Sequence, residues 1–230
     1  FNAADIIVVG KFGAEHSIAA VGSNSSLINL MTNLFIGLSV GANVLVARYF
    51  GAKRGKDIKE TVHTSMTLSL LSGITIAIIG IILAPILLEL MNTPDEIIHS
   101  ATTYLRIYFL GMPAMMIYNF GNAILRAVGD TKRPLYFLFG AGLINVLLNL
   151  LFVIVFKWDV VGVAASTVIS QCISALLIVI CLLKEQGDFR LEFKSLRIHK
   201  DKLKDILKIG LPAGLQGTIF SLSNVVIQSS

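Results

Sequence analysis

The sequence predicts an all-α, polytopic membrane protein built as a bundle of long apolar helices. Apolar side chains make up 55% of the 230 residues, the mean hydropathy is +0.79, and only 14% of residues are charged. Soluble domains carry about 25% charged residues. A bilayer core requires about 20 apolar residues for each helix that crosses it, and several runs in this sequence reach that length. These observations exclude a soluble globular domain.

The positive charge is concentrated in every second connection between the apolar runs. Of the 19 Lys and Arg residues, 16 lie in the segments 48–59, 126–133 and 184–208. This positive-inside pattern predicts that the three basic segments face the cytoplasm. Because they lie beside membrane-length runs, the partner predicted for them is anionic lipid, and nucleic acid is not expected.

Five apolar runs are long enough to cross the membrane in full. They are Leu27–Tyr49, Val62–Met91, Ala101–Leu125, Leu135–Phe156 and Val160–Leu183. Residues 1–9 have the composition of the end of an earlier span, and residues 209–230 that of the start of a later one. The sequence therefore predicts an N-terminal lobe over residues 1–183, a cytoplasmic linker over 184–208 and the truncated start of a second lobe over 209–230.

Local signals predict where these helices begin, end and bend. Gly51 is expected to end the first full span in a left-handed conformation. The run Thr93–Glu96 predicts an N-cap, a first-turn proline and an acid that completes a capping box. Pro85 and Pro113 lie inside spans and are expected to kink them. In the linker, the spacing of Leu203, Ile206 and Leu207 predicts a short amphipathic helix along the cytoplasmic face.

Each of four spans carries one stripe of polar side chains, which are costly in a bilayer and therefore informative. The stripes comprise Asn29, Asn33 and Asn43; Asn119 and Asn122; Asn145 and Asn149; and Ser166, Thr167, Ser170, Gln171 and Ser174. One interpretation is a wet cavity lined by the stripes, and the other is hydrogen bonding between helices at close crossings. Stripes on four helices together favour the cavity.

Asp5 is an acid in an apolar context away from any loop. Burial favours the neutral form of a carboxyl group, which suits a proton carrier, whereas a position near the helix end would leave the carboxylate in water. A short internal repeat aligns residues 2–9 with residues 221–228 and so pairs Asp5 with Asn224. Such a repeat predicts two halves of the same orientation, as in parallel-repeat transporters.

The sequence offers no signal for a metal site or for catalysis. The four His residues have no ligand partner at a useful spacing, and there is no HExxH motif. Cys172 and Cys181 are nine residues apart on one helix, which is a rotation of about 180°, so they cannot pair with each other. We therefore expect no cofactor and no metal.

Five motifs in order along the chain resemble those of the multidrug and toxic compound extrusion (MATE) family. They are Asp5–Gly10 with Ile18–Gly22, Ala47–Ala52, Tyr118–Asn119 with Leu125–Lys132, Gly162–Thr167, and Gly210–Gly214. The match is closest to the bacterial branch known for a DNA-damage-inducible member. It implies a twelve-helix antiporter of two six-helix lobes in a bacterial plasma membrane. This chain would be the N-terminal lobe, with its first helix cut short, plus the start of a seventh helix.

The resemblance also implies a function and its residues. Related proteins export cationic, amphipathic drugs in exchange for protons or sodium. The family's proton-coupling cluster matches Asp5, Tyr104, Asn119, Asn145 and Thr167 here, with Asn149 in place of a second acid. That replacement leaves Asp5 as the sole acid of the cluster. The positions expected to line the cavity are Asn29, Asn33, Asn43, Asn122, Ser170, Gln171 and Asn224.

Two other functions compete with drug efflux. A lipid-linked oligosaccharide flippase of the same superfamily would share the architecture but requires a strongly cationic central cavity, and only Arg106 lies near a span. A membrane-embedded enzyme is disfavoured, because no span holds a Ser/His, Asp/Asp or metal-ligand set. The partners expected are amphipathic small molecules, membrane lipid and a second lobe.

Overall fold

The computed structural model describes the backbone of residues 17–229 and the side chains of residues 28–223 apart from residue 30. In this part of the chain all regular structure is helical. The helices are α1 (Ser17–Gly51), α2 (Gly55–Leu90), α3 (Asp95–Leu110), α4 (Met112–Ala127), α5 (Lys132–Leu150), α6 (Asp159–Lys184) and α7 (Lys200–Ser229). A π-helical turn, Leu151–Val155, continues α5, and a 3₁₀ turn, Phe193–Ser195, lies between α6 and α7.

Four stretches of the described chain are long and apolar enough to cross a membrane. They are Met31–Gly51, Gly55–Leu90, Lys132–Val155 and Asp159–Lys184. At 1.5 Å per residue, the 36 residues of α2 extend over about 54 Å, which exceeds the roughly 30 Å hydrocarbon core. Pro85 lies inside α2 without ending it. The basic start of α2 therefore projects beyond the bilayer core.

The predicted span Ala101–Leu125 is wrong as a single helix, because it is divided at Gly111 into α3 and α4. Pro113 lies in the first turn of α4, where its missing N–H leaves no intrahelical bond unmade. Gly73 of α2 makes room for this break, since a Cβ at Gly73 would lie 2.5 Å from the Pro113 Cα. The irregularity predicted at Pro113 is thus a one-residue interruption at Gly111, whose backbone keeps right-handed helical dihedrals, with a φ of −80° and a ψ of −8°.

Two predicted helix ends are also wrong. Pro94, not Thr93, is the residue before α3, and no side-chain hydrogen bond caps that helix, so the capping box does not form. Helix α1 includes Gly51, and the residue that takes the left-handed conformation is Lys53, with a φ of 55°. Lys53 lies in the short connection to α2, where its N–H donates to the Phe50 carbonyl at 3.1 Å.

Large apolar side chains face outward along α2 and α5. The exposed ones include Leu70, Leu71, Ile74, Ile78 and Ile82 on α2, and Leu135, Phe139, Leu143 and Leu147 on α5. A continuous exposed apolar face of this kind is unsuited to water and fits contact with lipid chains. The buried apolar side chains form two clusters, one around Tyr104 and Phe109 of α3 and the other around Phe120 and Ile124 of α4.

The three basic segments meet at one end of the bundle. Arg133 forms an ion pair with Glu185, which joins the start of α5 to the end of α6. Lys202 forms an ion pair with Asp57, which joins the start of α7 to the start of α2. This common end agrees with the charge pattern, and its assignment to the cytoplasm stays a prediction.

The linker between α6 and α7 is mostly irregular. The Leu191 N–H donates to the Leu182 carbonyl at 3.0 Å and holds this part of the linker against the end of α6. The helix predicted around Leu203 and Ile206 is present, but it is the first part of the 30-residue helix α7 and not a separate short helix. Helix α7 packs against α1 along much of its length.

A buried polar network as the candidate functional site

Four buried polar side chains form a hydrogen-bonded network between α5 and α6. The Asn145 amide nitrogen donates to the Thr167 hydroxyl at 3.2 Å, and the Asn149 amide nitrogen donates to Asn145 Oδ1 at 3.4 Å. The Ser166 hydroxyl lies within hydrogen-bonding reach of Asn149 Oδ1. All four side chains have no exposed surface.

The local helix geometry accounts for this arrangement. Asn145 and Asn149 are four residues apart and so lie on one face of α5. Ser166 and Thr167 lie on the α6 surface that packs against it. In the rest of the α6 stripe, Ser170 donates to the Ser166 carbonyl at 2.8 Å, so its hydroxyl is satisfied within its own helix.

The network consists of neutral groups that both donate and accept hydrogen bonds. Amides and hydroxyls can bind a protonated or deprotonated carboxyl group equally by rotation, without a charge of their own. Tyr104 of the predicted coupling set lies in the adjoining apolar cluster, buried and stacked on Tyr108 with 6.0 Å between ring centroids. Asp5 lies outside the described residues.

Gln171 is a second polar side chain on this surface of α6. It is 3% exposed, and its Oε1 has no hydrogen-bond partner among the described residues. This oxygen lies against Gly111, the residue between α3 and α4: a Cβ at Gly111 would be only 2.4 Å from it. Gln171 therefore directs an acceptor at the point where the two helices separate.

A separate polar group lies between α1 and α4. Asn43 donates to the Ala123 carbonyl at 2.7 Å, and Asn119 donates to the Met115 carbonyl at 2.8 Å. With Asn122 and Arg126 they line a cavity of about 250 Å³. Asn119 is thus placed with the predicted cavity residues and has no hydrogen bond with the Asn145 network in the described chain. Arg126 was not expected at a cavity from its position in a basic loop.

The remaining predicted cavity residues are distributed differently. Asn33 donates to the Ser221 hydroxyl at 2.5 Å and to the Gly217 carbonyl at 3.3 Å, so it joins α1 to α7. This contact matches the alternative interpretation of hydrogen bonding between helices. Asn29 is exposed, and the side chain of Asn224 lies outside the described residues.

Sequence reasoning missed a buried lysine at the basic end of the bundle. Lys202 is 4% exposed, pairs with Asp57, and its ammonium lies 4.5 Å from the centre of the Tyr49 ring. The only available signal was the spacing of Lys202 and Ile206, which places both on one face of α7. Sequence alone does not reveal that the partners lie about 150 residues earlier.

Two acids in the loops of this end have lowered pKa values. Hydrogen bonds from the Lys59 ammonium and the Ser195 hydroxyl lower the pKa of Glu192. Burial acts to raise the pKa of Asp130, but hydrogen bonds from the Arg133 side chain and backbone outweigh it and lower the pKa. Both carboxylates are therefore ionised at neutral pH. Among the residues that the structure describes, no three His, Cys, Asp or Glu side chains are grouped as metal ligands.

Comparison with known proteins identifies a family and several relatives. The sequence model of the MatE family matches residues 1–151. The probable multidrug resistance protein YoeA of Bacillus subtilis (strain 168) is 32% identical over 231 residues, covering 97% of this chain and 50% of YoeA. The probable multidrug resistance protein YpnP of the same organism is 30% identical over 232 residues, covering 100% of this chain and 51% of YpnP.

Solved structures give the same result. An inward-facing multidrug resistance MATE family transporter of the MOP superfamily superposes with a TM-score of 0.91 at 29% identity, covering 99% of this chain and 52% of that one. An outward-facing structure with the same description superposes with a TM-score of 0.88 at 30% identity, covering 96% of this chain and 49% of that one. The chain thus spans about half the length of the proteins that it matches.

Proposed function

This chain belongs to the MatE family of multi-pass membrane proteins, and we propose that it forms one lobe of a secondary efflux transporter for amphipathic or cationic small molecules. The relatives YoeA and YpnP are named as probable multidrug resistance proteins. They are about twice as long, and we assign the second lobe to the half that this chain does not match. Alternating access between two lobes then moves the substrate across the membrane.

The observation that carries the proposal is the buried network of Asn145, Asn149 and Thr167. These three positions match the family's coupling set and lie on facing surfaces of α5 and α6, where Asn149 donates to Asn145 and Asn145 donates to Thr167. Buried polar side chains in membrane-spanning helices are costly unless they are hydrogen-bonded, and this cluster lies where the resemblance to the family places coupling residues. The network itself holds no titratable group, so the proposal of proton coupling depends on Asp5.

In the proposed mechanism Asp5 is the coupling carboxyl group. It is protonated from outside and then presents a neutral group to the amides of Asn145 and Asn149. Protonation removes a buried charge and so biases the lobe between two packings. Substrate release and proton binding exclude each other because they favour opposite states of one equilibrium.

A flippase for a lipid-linked anion is the second candidate, favoured by Arg126 at the cavity between α1 and α4. A guanidinium there suits a phosphate-bearing substrate and opposes a cationic one. Replacing Arg126 by Gln in the complete transporter separates the two: a flippase loses transport of its anionic substrate, whereas export of cationic drugs is retained or increased.

The coupling proposal is tested by measuring drug efflux in vesicles of defined internal pH. Asp5→Asn holds the group in its neutral form and is expected to abolish pH-driven efflux while membrane insertion is retained. Asn149→Asp adds the second acid found in relatives and is expected to shift the pH optimum without abolishing transport. If Asp5→Asn retains proton-driven efflux at the level of the unmodified protein, Asp5 is not the coupling site.

A further inference from the structure

A second cavity lies at the basic end of the bundle, between the start of α2 and the linker. Its volume is about 400 Å³. Four basic side chains line it, Lys56, Lys59, Lys194 and Arg197, together with the imidazoles of His63 and His199. Lys59 and His63 follow Lys56 by three and seven residues, so all three lie on one face of α2. Lys194, Arg197 and His199 come from the linker.

Hydrogen bonds hold the two walls of this cavity together. The Glu192 N–H donates to His63 Nε2 at 3.0 Å, and the His199 N–H donates to the Thr64 hydroxyl at 3.1 Å. His63 is 1% exposed; its Nδ1 lies 2.7 Å from the Lys59 carbonyl, which fits donation by Nδ1, while Nε2 accepts from the Glu192 N–H. The linker is therefore fixed over the cavity by backbone donors.

The cavity carries an excess of positive charge. Lys59 is paired with Glu192 at 2.9 Å, and Glu60 lies 4.0 Å from His199. Lys56 and Lys194 form no ion pair within the described part of the chain, and Arg197 donates to an imidazole nitrogen of His199 at 3.1 Å. Glu60 also lines the cavity, but its nearest ion-pair partner in the described chain is His199, so three cations face the cavity without an ion-paired carboxylate. Such an excess of positive charge suits a phosphate group.

The linker also exposes apolar side chains beside the cavity. Phe193 is 61% exposed and Leu196 is 37% exposed. They are three residues apart and alternate with Lys194 and Arg197 in the 3₁₀ turn and just after it. Basic side chains interleaved with exposed aromatic and aliphatic ones are typical of segments that lie in the headgroup region of a membrane.

We propose that this cavity binds the phosphate of an anionic phospholipid headgroup in the cytoplasmic leaflet, with Phe193 inserted among the acyl chains. Lys56, Lys194 and Arg197 supply the charge, and Phe193 distinguishes a lipid from a free phosphate. The bound lipid would fasten the linker to the membrane surface. The cytoplasmic leaflet is the anionic one and lies on the side that the charge pattern predicts for this end.

The test uses the complete transporter, purified in a neutral detergent, and measures its thermal unfolding midpoint against added short-chain phosphatidylglycerol. A ligand that binds only the folded state raises the midpoint by an amount that grows with the logarithm of one plus the ratio of its concentration to its Kd. Phosphatidylcholine of the same chain length tests the need for net negative charge. Inorganic phosphate tests the need for a lipid.

The informative variant is Lys56→Gln/Lys194→Gln, and the matched control is Lys204→Gln/Lys208→Gln. All four lysines are exposed, and the control pair lies on α7 away from the cavity. A lysine near an anionic surface contributes about fivefold in affinity. The Lys56→Gln/Lys194→Gln variant is therefore expected to bind phosphatidylglycerol roughly 30-fold more weakly, so that a correspondingly higher lipid concentration gives the same rise in midpoint. The control pair is expected to leave it unchanged. Phe193→Ser is expected to reduce the rise in midpoint caused by phosphatidylglycerol, while the midpoint measured without lipid stays unchanged.

Three outcomes would overturn the proposal. If phosphatidylcholine stabilises the protein as much as phosphatidylglycerol does, the negative charge of the headgroup is not needed. If inorganic phosphate stabilises it as much, the cavity binds a soluble anion and not a lipid. An equal loss in the Lys204→Gln/Lys208→Gln control shows that net charge, and not this cavity, determines the response.

Discussion

Gly37 of α1 and Gly214 of α7 are in backbone contact: a Cβ added at Gly37 would lie 2.2 Å from the Gly214 nitrogen. Four residues along α1, a Cβ at Gly41 would lie 2.4 Å from the Ile206 carbonyl oxygen. On α7, Gly210 and Gly214 are also four residues apart. Helices in lipid associate through close van der Waals packing of small residues. The pair α1 and α7 thus joins the predicted first lobe to the predicted start of the second.

Enlarging this contact is expected to separate the two helices. Gly37→Ala forces the backbones apart, and overpacking of this kind costs about 1–3 kcal/mol. We expect a lower thermal midpoint and reduced efflux in the complete transporter. Gly142→Ala is the matched control, because a Cβ at Gly142 meets no atom within 4 Å. Equal stability of the two variants would show that the contact tolerates a methyl group.

The Asn145 network is expected to stabilise the lobe as well as to carry function. Asn145→Ala removes one buried hydrogen bond to the Thr167 hydroxyl and one from the Asn149 amide, and we expect the two losses together to cost about 1–3 kcal/mol. Asn29→Ala changes an exposed asparagine and is expected to leave stability unchanged. Chemical denaturation of both variants in detergent measures the difference. A loss of the same size in Asn29→Ala would contradict the assignment.

The sequence was informative about features that depend on local spacing. The i, i+4 spacing of Asn145 and Asn149 predicts one polar face, and the structure places that face against Thr167. The opposite orientation predicted for Cys172 and Cys181 is confirmed, since the first is exposed and the second is buried. The three basic segments lie at one end of the bundle, as the charge pattern indicates, where Arg133 pairs with Glu185 and Lys202 pairs with Asp57.

Features that depend on distant contacts were not predictable. Hydropathy measures only the length of an apolar run, so it does not reveal the break at Gly111. That break is supported by Gly73 on α2 and Gln171 on α6, which lie far away in sequence. The burial of Lys202 was not predictable either, because its partners, Asp57 and Tyr49, approach it only in the folded chain.

The orientation of the bundle is tested by labelling single cysteines from each side of the membrane. Lys56 is exposed in the first turn of α2, and Asp95 is exposed at the start of α3, just after the other end of α2. The 36 residues of α2 extend over about 54 Å. In a protein with Cys172 and Cys181 replaced by Ala, we expect Lys56→Cys to react with an impermeant thiol reagent only from the cytoplasmic side. Asp95→Cys is expected to react only from the outside. Labelling of both from one side would refute the topology.

The linker is expected to detach from α2 at acid pH. The ion pair of Glu192 with Lys59 lowers the pKa of Glu192 below its usual value of 4.5. A carboxyl group with a lowered pKa in the folded state contributes stability above its unfolded pKa and loses it as the pH falls through the folded value. The ion pair should therefore be intact from neutral pH to about pH 4.5, and its contribution to holding the linker should be lost progressively below that pH.

A nitroxide attached to Leu196→Cys, again with the native cysteines replaced, reports this change as an increase in spin-label mobility. Glu192→Gln is the matched control, because it removes the titrating group while keeping its shape. That variant should show a more mobile label at neutral pH and no further transition near the pKa of Glu192. If the label in the unmodified linker instead loosens between pH 7 and pH 5, another group controls the attachment, because a lowered carboxyl pKa cannot act in that range.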